Sequence, residues 1–154
     1  MIDDTDRAIL TILQQNARTS NAEIARQVGL APSAVFERVK RLEERGVLRG
    51  YHADIDPAAV GLGLIAFVSI RAGERSFEGA VGRALAAIPA VQEVHHVAGD
   101  DCYLVKVRVA DIAALSALLR EAIGAIPQVQ STRTTIVLGT EKERVGVGAL
   151  GGRG

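Results

Sequence analysis

The sequence predicts an α+β protein with two parts that differ in the spacing of their apolar residues. Residues 3–49 contain three helical patterns, in which apolar residues recur every three or four positions. Residues 64–138 alternate strand and helix patterns in the order β-α-β-β-α-β, which is typical of a ferredoxin-like domain. The predicted divisions are a helix-turn-helix (winged-helix-like) domain at 1–54, a linker at 55–63, a ferredoxin-like domain at 64–140 and a flexible glycine-rich tail at 141–154.

Composition limits where the chain works and how it assembles. Of its 154 residues 48% are hydrophobic, and the mean hydropathy of +0.19 suggests that a second subunit covers some apolar surface. No apolar run reaches the roughly 18 residues of a membrane helix. The acidic start, Met1 to Asp4, begins a helix and is unlike a signal peptide. The single cysteine, Cys102, cannot form an internal disulfide, which favours the reducing cytoplasm.

The first two helices begin with recognisable capping residues. Asp3 is expected to cap a helix over residues 3–15, with Asp6 at its third position. Ser20 and Glu23 have the spacing of a capping box, in which each side chain accepts a hydrogen bond from the other residue's backbone N–H.

A short break separates the second helix from a third. Gly29 suits the left-handed residue that ends a helix, and Pro32 suits the first position of the next one, which Gly46 closes. Apolar residues of the third helix recur on one side, at Val35, Val39 and Leu42. The opposite side carries Ser33, Glu37, Lys40, Arg41 and Glu44. Two helices joined by a tight glycine turn, with basic residues on the outer side of the second, form the helix-turn-helix pattern of DNA-binding proteins.

Candidate DNA contacts are concentrated on the third helix. The candidates are Asn21, Ser33, Phe36, Glu37, Arg38, Lys40, Arg41, Arg45 and Arg49. For Phe36, core packing and contact with a thymine methyl are equally good interpretations. Arg38, Arg45 and Arg49 are either phosphate contacts or ordinary surface charges. Net charge is zero, with 18 bases and 18 acids, and residues 36–51 carry five bases against three acids. Because this local excess is small, one copy should bind DNA weakly, and two or more copies in one assembly should compensate.

The second part is predicted from strand and helix patterns that follow a possible short strand or wing at 47–53. Its predicted strands are Leu64 to Ile70, Val91 to Ala98, Cys102 to Val109 and Val129 to Leu138. One helix is expected from Ser76 to Ile88, and a second after the capping Asp111, ending before Pro127. The first strand lacks alternation, so both of its faces should be buried, one against the helices and one against a second subunit in a homodimer.

The chain resembles the Lrp/AsnC (leucine-responsive, or feast/famine) transcriptional regulators over residues 2–142. In the first part the matching residues are Asp4-x-Asp6 with Ile9-Leu10, Ser20-Asn21-x-Glu23-Ile24-Ala25 with Val28-Gly29-Leu30, Pro32-Ser33-x-Val35-x-x-Arg38-Val39-x-Arg41-Leu42-Glu43 and Gly46-Val47-Leu48-x-Gly50-Tyr51. In the second part they are Val97-Ala98-Gly99-Asp100 and Tyr103-Leu104-Val105-Lys106-Val107.

The resemblance implies amino-acid-responsive DNA binding by dimers that assemble into tetramers or octamers. It also implies an effector pocket between dimers, around the turn after the second strand. Backbone N–H groups of such a turn can hold a carboxylate, and an aspartate can pair with an ammonium group. The candidate effector contacts are Gly99, Asp100, Asp101, Cys102, Thr134 and Thr135.

This sequence departs from the family pattern at two positions. Ala31 stands where the family usually has a serine that caps the third helix, and Cys102 stands where many members have an aspartate. If that aspartate binds the effector's amino group, Asp100, Asp101 or another residue must do so here.

The sequence carries little that points to catalysis. It lacks a glycine-rich phosphate loop and a nucleophile motif, and His95 and His96 would point to opposite faces of a strand, so we expect no catalytic residues, metal or cofactor. One alternative is an enzyme resembling the sirohaem decarboxylases, which share this architecture. Another is a ligand-binding protein that does not bind DNA.

Overall fold

The computed structural model describes residues 2–73, 79–144, 146–148 and 150, and the chain divides into two compact units. The first unit comprises Met1–Asp54 together with Glu143–Gly154, and the second comprises Ile55–Lys142. The tail therefore belongs with the first unit, although its described residues form neither helix nor strand.

Three helices build the first unit: α1 (Asp4–Gln15), α2 (Asn21–Val28) and α3 (Pro32–Glu44). At the start of α1 the predicted cap is complete, because the Asp6 N–H donates to the Asp3 carboxylate at 2.8 Å and the Asp3 N–H donates to Asp6 at 3.4 Å. Their buried apolar side chains form one core, Ile9, Leu13, Ile24, Ala25, Val35 and Val39.

The turn between α2 and α3 has the predicted form. Gly29 has φ of +69°, the left-handed conformation that ends a helix and that side chains with a Cβ disfavour. Pro32 is the first residue of α3. This turn allows α3 to place Val35 and Leu42 in the core while its other side faces outward.

Residues 47–53 contain no strand, where the sequence predicts a short strand or small wing. The N–H groups of Val47 and Leu48 instead donate to the Leu42 carbonyl, at 2.9 and 3.0 Å. Further along, the Tyr51 hydroxyl donates to Glu43 at 2.7 Å. This segment therefore folds back along the end of α3, and its backbone donors are used there rather than in a ladder.

The second unit contains a four-stranded antiparallel sheet in the order β2-β3-β1-β4. Its strands are β1 (Leu64–Ala72), β2 (Val91–His96), β3 (Tyr103–Val109) and β4 (Val129–Ile136). Its helices are α4 (Ala80–Ala86) and α5 (Ile112–Ala117), and α5 continues as a π-helical segment over Leu118–Ile123. The predicted β-α-β-β-α-β order is confirmed. Ser76 and Phe77, expected at the start of the first of these helices, lie outside the described residues.

The two faces of the sheet differ in burial. One face packs against the helices through fully buried side chains such as Val68, Ile70, Val105 and Val107. The other, which we call the open face, includes Phe67, Ser69, Arg71, Leu104 and Lys106. On this side β1 is only partly buried at Phe67 and Ser69 and is exposed at Arg71. The strand continues to Ala72, two residues past its predicted end at Ile70. The expectation that a second subunit covers the open face stays a prediction.

Candidate DNA-binding and ligand-binding sites

The outward side of α3 presents the predicted recognition residues to solvent. The exposed residues on this side are Ser33, Phe36, Glu37, Lys40 and Arg41. Lys40 reaches Glu44 at only 3.9 Å, and because both side chains are more than half exposed, this contact is weak. Within the described part of the chain, the Arg41 guanidinium has no hydrogen-bond or ion-pair partner. These side chains of α3 are therefore exposed and available to a partner.

Phe36 is 53% exposed, so the alternative of core packing is wrong for this residue. Its helix neighbours Val35 and Val39 fill the core instead. A half-exposed phenylalanine among basic residues has the shape and polarity to contact an apolar group on a partner, as a thymine methyl would provide.

Arg38 differs from the other basic residues of α3 because it is engaged within the unit. One nitrogen of its guanidinium lies 2.7 Å from the carboxylates of both Asp3 and Asp6, and its side chain is 24% exposed. These contacts raise the pKa of Arg38 and lower the pKa of Asp3. The hydrogen bond between Arg38 and Asp3 is the largest cause of both shifts. Arg38 thus joins the start of α1 to α3, and we leave it out of the proposed DNA contacts.

The remaining DNA candidates lie at the ends of the helices. Asn21 is the half-buried first residue of α2, Arg45 caps the end of α3, and Arg49 is exposed beyond it. Tyr51 lies nearby, where burial and its hydrogen bond to Glu43 raise the pKa of the Tyr51 hydroxyl to about 12. That phenol therefore stays neutral at physiological pH and keeps Glu43 in place.

Caps differ between the two helices of the helix-turn-helix. The Ser20 hydroxyl accepts from the Glu23 N–H at 3.2 Å, but the Glu23 carboxylate accepts from Arg26 and Gln27 rather than returning to Ser20. The predicted capping box is thus only half formed. At α3 the capping position is Ala31, which has no side-chain oxygen and leaves the first N–H groups without a side-chain cap.

The four candidate ligand residues Gly99 to Cys102 form one turn between β2 and β3. The turn is closed by the Val97 N–H, which donates to the Cys102 carbonyl at 3.0 Å. The Cys102 N–H donates to the Ile70 carbonyl of β1 at 2.9 Å, which joins the turn to that strand. The Cys102 thiol lies 3.5 Å from the Ala72 carbonyl and packs against the core, as a small buried side chain would. This turn therefore sits beside the end of β1, with Asp100 exposed and Asp101 half-exposed.

Two arginines contact the turn, and sequence reasoning missed both of them. Arg133 on β4 lies 2.7 Å from the Asp101 carboxylate, and Arg71 at the end of β1 donates to the Asp100 carbonyl at 3.2 Å. Each is about 30 residues from its partner, with separations of 32 and 29 positions. Only the strand register brings them together, so no local signal in the sequence indicates the pairing.

Thr134 and Thr135 do not share a site within one subunit. Thr134 pairs with Val68, whose side chain is in the core, whereas Thr135 pairs with Phe67 on the open face. Thr134 lines a surface cavity of about 480 Å³ between α5 and β4. The other residues that line this cavity are Ile112, Leu115, Ser116, Leu119, Arg120 and Ile136.

The neighbouring histidines point to opposite faces of the sheet, as expected. His96 lies over Tyr103, with ring centroids 5.1 Å apart, while His95 lies 3.1 Å from the Glu93 carboxylate on the open face. Lys106 contacts the same carboxylate at 3.3 Å, and hydrogen bonding by His95, followed by Lys106, lowers the pKa of Glu93.

Both units match known domain families. Residues 2–49 match a winged helix-turn-helix DNA-binding domain, and residues 65–147 match the Lrp/AsnC ligand binding domain. The leucine-responsive regulatory protein of Escherichia coli strain K12 is 39% identical over 145 residues, which cover 92% of this chain and 88% of that protein. This chain belongs to the Lrp/AsnC family of transcriptional regulators.

Solved Lrp/AsnC structures agree with the fold. Escherichia coli AsnC superposes with a TM-score of 0.85 at 32% identity, covering 94% of this chain and 97% of that one. The feast or famine regulatory protein of Mycobacterium tuberculosis, solved in complex with L-methionine, gives a TM-score of 0.85 at 40% identity, covering 93% and 96%. As an Lrp/AsnC regulator, the chain is a DNA-binding protein with a ligand-binding domain. Within the residues that the structure describes, no helix is both long and apolar enough to cross a membrane.

Proposed function

We propose that this Lrp/AsnC regulator binds paired half-sites on duplex DNA as a homodimer or larger homo-oligomer, and that a free α-amino acid bound at the turn of residues 97–102 changes its DNA affinity. The observation that carries this proposal is the presence in one chain of an exposed basic helix side and of an exposed turn where opposite charges already meet, Asp101 and Arg133. We place its action in the cytoplasm and assign it no catalytic step.

In this proposal the outward side of α3 contacts the DNA. Arg41 and Lys40 have the charge and length to donate to guanine in the major groove, and Ser33 near the helix start can reach a phosphate. The proposed set is Asn21, Ser33, Phe36, Glu37, Lys40, Arg41, Arg45 and Arg49. In a two-fold dimer two such helices read half-sites about 10 bp, or a multiple of 10 bp, apart.

In this proposal the turn of residues 97–102 and Arg133 beside it contact the ligand. The ammonium group of an α-amino acid matches the Asp101 and Asp100 carboxylates, and its carboxylate matches the Arg133 guanidinium and the turn's N–H groups. Because Asp101 and Arg133 neutralise each other in the free protein, a zwitterion can exchange partners with both and leave no charge unpaired. The mycobacterial relative solved with L-methionine supports an amino acid as the ligand class.

In this proposal two subunits associate through the open face of the sheet. Its half-buried Phe67 and Leu104 lie among charged residues that are themselves neutralised, as Glu93 is by Lys106. A second copy of the same sheet would cover this mixed surface through a two-fold contact. Thr135 on this face would then lie at the subunit contact, while Thr134 lines the cavity beside α5.

The proposal is tested by selecting bound DNA from a random pool with the full chain, alone and with a panel of amino acids. We expect enrichment of paired half-sites, and a change in affinity or in sedimentation coefficient with at least one amino acid. Enrichment without any amino-acid response would overturn the ligand part while leaving DNA binding intact. A single, unpaired subunit at the concentrations that bind DNA would overturn the paired-site part.

A further inference from the structure

Val147 and Gly148, near the end of the chain, bind the DNA-binding unit itself. The side-chain amide of Gln14, on α1, makes two hydrogen bonds with the tail backbone. Its Nε2 donates to the Gly148 carbonyl at 2.7 Å, and its Oε1 accepts from the Val147 N–H at 3.0 Å. A glutamine side chain satisfies one backbone donor and one backbone acceptor here, in the way that a neighbouring strand would.

Glycine is required beside this contact. A Cβ on Gly146 would lie 2.9 Å from Gln14 Oε1, closer than such atoms approach, and the φ of Gly146 is +122°. Gly148 also has a positive φ, of +80°. Residues with side chains disfavour such backbone conformations. The glycine content of the tail, which suggests disorder in the sequence, thus has a local structural use.

An apolar anchor follows the hydrogen-bonded residues. Leu150 is half-buried and lines a groove of about 470 Å³ along α1 and the end of α2, together with Ile12 and Val28. The other lining residues are Asp4, Arg7, Ala8, Thr11 and Gln27. This groove includes none of the proposed DNA contacts, so the tail and DNA can be bound at the same time.

We propose that residues 146–148 and Leu150 act as a strap that connects the DNA-binding unit to the ligand-binding unit a second time. The chain leaves the first unit after Asp54 and returns to it at Glu143, so a bound tail attaches the DNA-binding unit at both ends. Two attachments restrict its motion more than one linker does. A restricted pair of recognition helices loses less freedom on binding paired half-sites, which tightens that binding. The inference does not depend on which ligand the second unit binds.

The docking itself is tested in the full chain with Gln14→Ala, and with Gln15→Ala as the matched control. Gln15 is the neighbouring residue on α1, has the same side chain and is exposed. We expect Gln14→Ala to speed amide exchange of Val147 by about tenfold or more, since two hydrogen bonds are lost, and Gln15→Ala to leave it unchanged. Exchange of Val147 at the rate of an unstructured peptide in the unmodified protein would overturn the strap.

A second pair of variants separates the strap from any local effect on α1. Gly146→Ala places a Cβ against Gln14, whereas Gly139→Ala adds a Cβ that meets nothing within 4 Å. Only the first should release Val147, as seen by faster amide exchange. Mixed samples in which one copy is isotope-labelled show whose α1 the tail contacts. Contacts found only between copies would overturn the assignment of the strap to its own subunit.

The consequence for DNA is measured with fragments that carry one half-site or two, taken from the selected pool. We expect Gln14→Ala and Gly146→Ala to weaken binding to paired half-sites about fivefold or more and to leave single half-site binding unchanged. If Gln14→Ala and Gly146→Ala bound paired half-sites as tightly as the unmodified protein and the controls Gln15→Ala and Gly139→Ala, the functional role of the strap would be overturned. Loss of both kinds of binding, by contrast, is the result expected when the α3 contacts fail, so the two proposals are distinguished.

Discussion

The guanidinium of Arg133 lies 2.7 Å from the carboxylate of Asp101, across 32 positions of sequence. We predict that Arg133→Gln lowers the affinity for the amino acid that the selection identifies by about tenfold or more, because a charged partner of the ligand carboxylate is lost. Titration calorimetry measures this change.

Arg120→Gln is the matched control for that measurement. Arg120 lines the separate cavity between α5 and β4 and pairs with Glu121 on the surface. Its substitution should leave the affinity unchanged. The reverse result, with Arg120→Gln weakening binding and Arg133→Gln without effect, would move the ligand from the turn to the cavity.

For the DNA interface, Arg41→Ala should weaken binding to the selected operator by about tenfold, since one bidentate contact to a base is worth roughly 1–3 kcal/mol. The protein should stay folded and oligomeric, because Arg41 is exposed and its side chain makes no hydrogen bond or ion pair with a described residue. Fluorescence anisotropy at moderate salt measures the affinity. Arg18→Ala, another exposed arginine of the same unit, serves as the control. Equal affinities for Arg41→Ala and the unmodified protein would remove Arg41 from the interface.

The uncapped start of α3 offers a stability test. Ala31→Ser would supply the missing side-chain acceptor and should stabilise the first unit by about 1 kcal/mol. Thermal unfolding followed by circular dichroism measures the gain. Ala34→Ser, placed inside the same helix, should give no gain, because serine is a poorer helix former than alanine. If the thermal unfolding midpoint of Ala31→Ser were the same as that of the unmodified protein, or lower, a side-chain cap would add no stability to α3.

The contact between Arg38 and Asp3 predicts a dependence on pH. Hydrogen bonding from Arg38, then from the Asp6 N–H, holds the pKa of Asp3 below its ordinary value of 3.8 in the folded state. The stabilisation is therefore complete above pH 3.8 and is lost as the pH falls further and the carboxyl group takes up a proton.

Asp3→Asn should remove this part of the acid sensitivity and lower the stability near neutral pH. Asp4→Asn is the control, since Asp4 is exposed and has no arginine partner among the described residues. The free energy of unfolding of each variant is measured at several values between about pH 2 and 7, a range that includes the titration of aspartate. If Asp3→Asn kept the full acid dependence of the unmodified protein, Asp3 would not contribute to it.

Much of the fold could be predicted because its signals are local. Helix caps act over three or four residues, as between Asp3 and Asp6, and strand alternation over two, as along β3. The segment at 47–53 was predicted less well. Whether a short apolar stretch forms a strand depends on a neighbour to pair with, and here its N–H groups bond to the end of α3 instead.

The sequence by itself determined the class of this protein: its two domain types, the outward side of α3 and the turn that carries Asp100 and Asp101. Only the tertiary structure decided how those residues are used. It paired Arg38 with Asp6, placed Arg133 beside Asp101, and joined Gln14 to Gly148. The physical reason is distance along the chain. Periodicity and capping are set by near neighbours, whereas these pairs are 32, 32 and 134 positions apart and form only when packing and strand register bring them together.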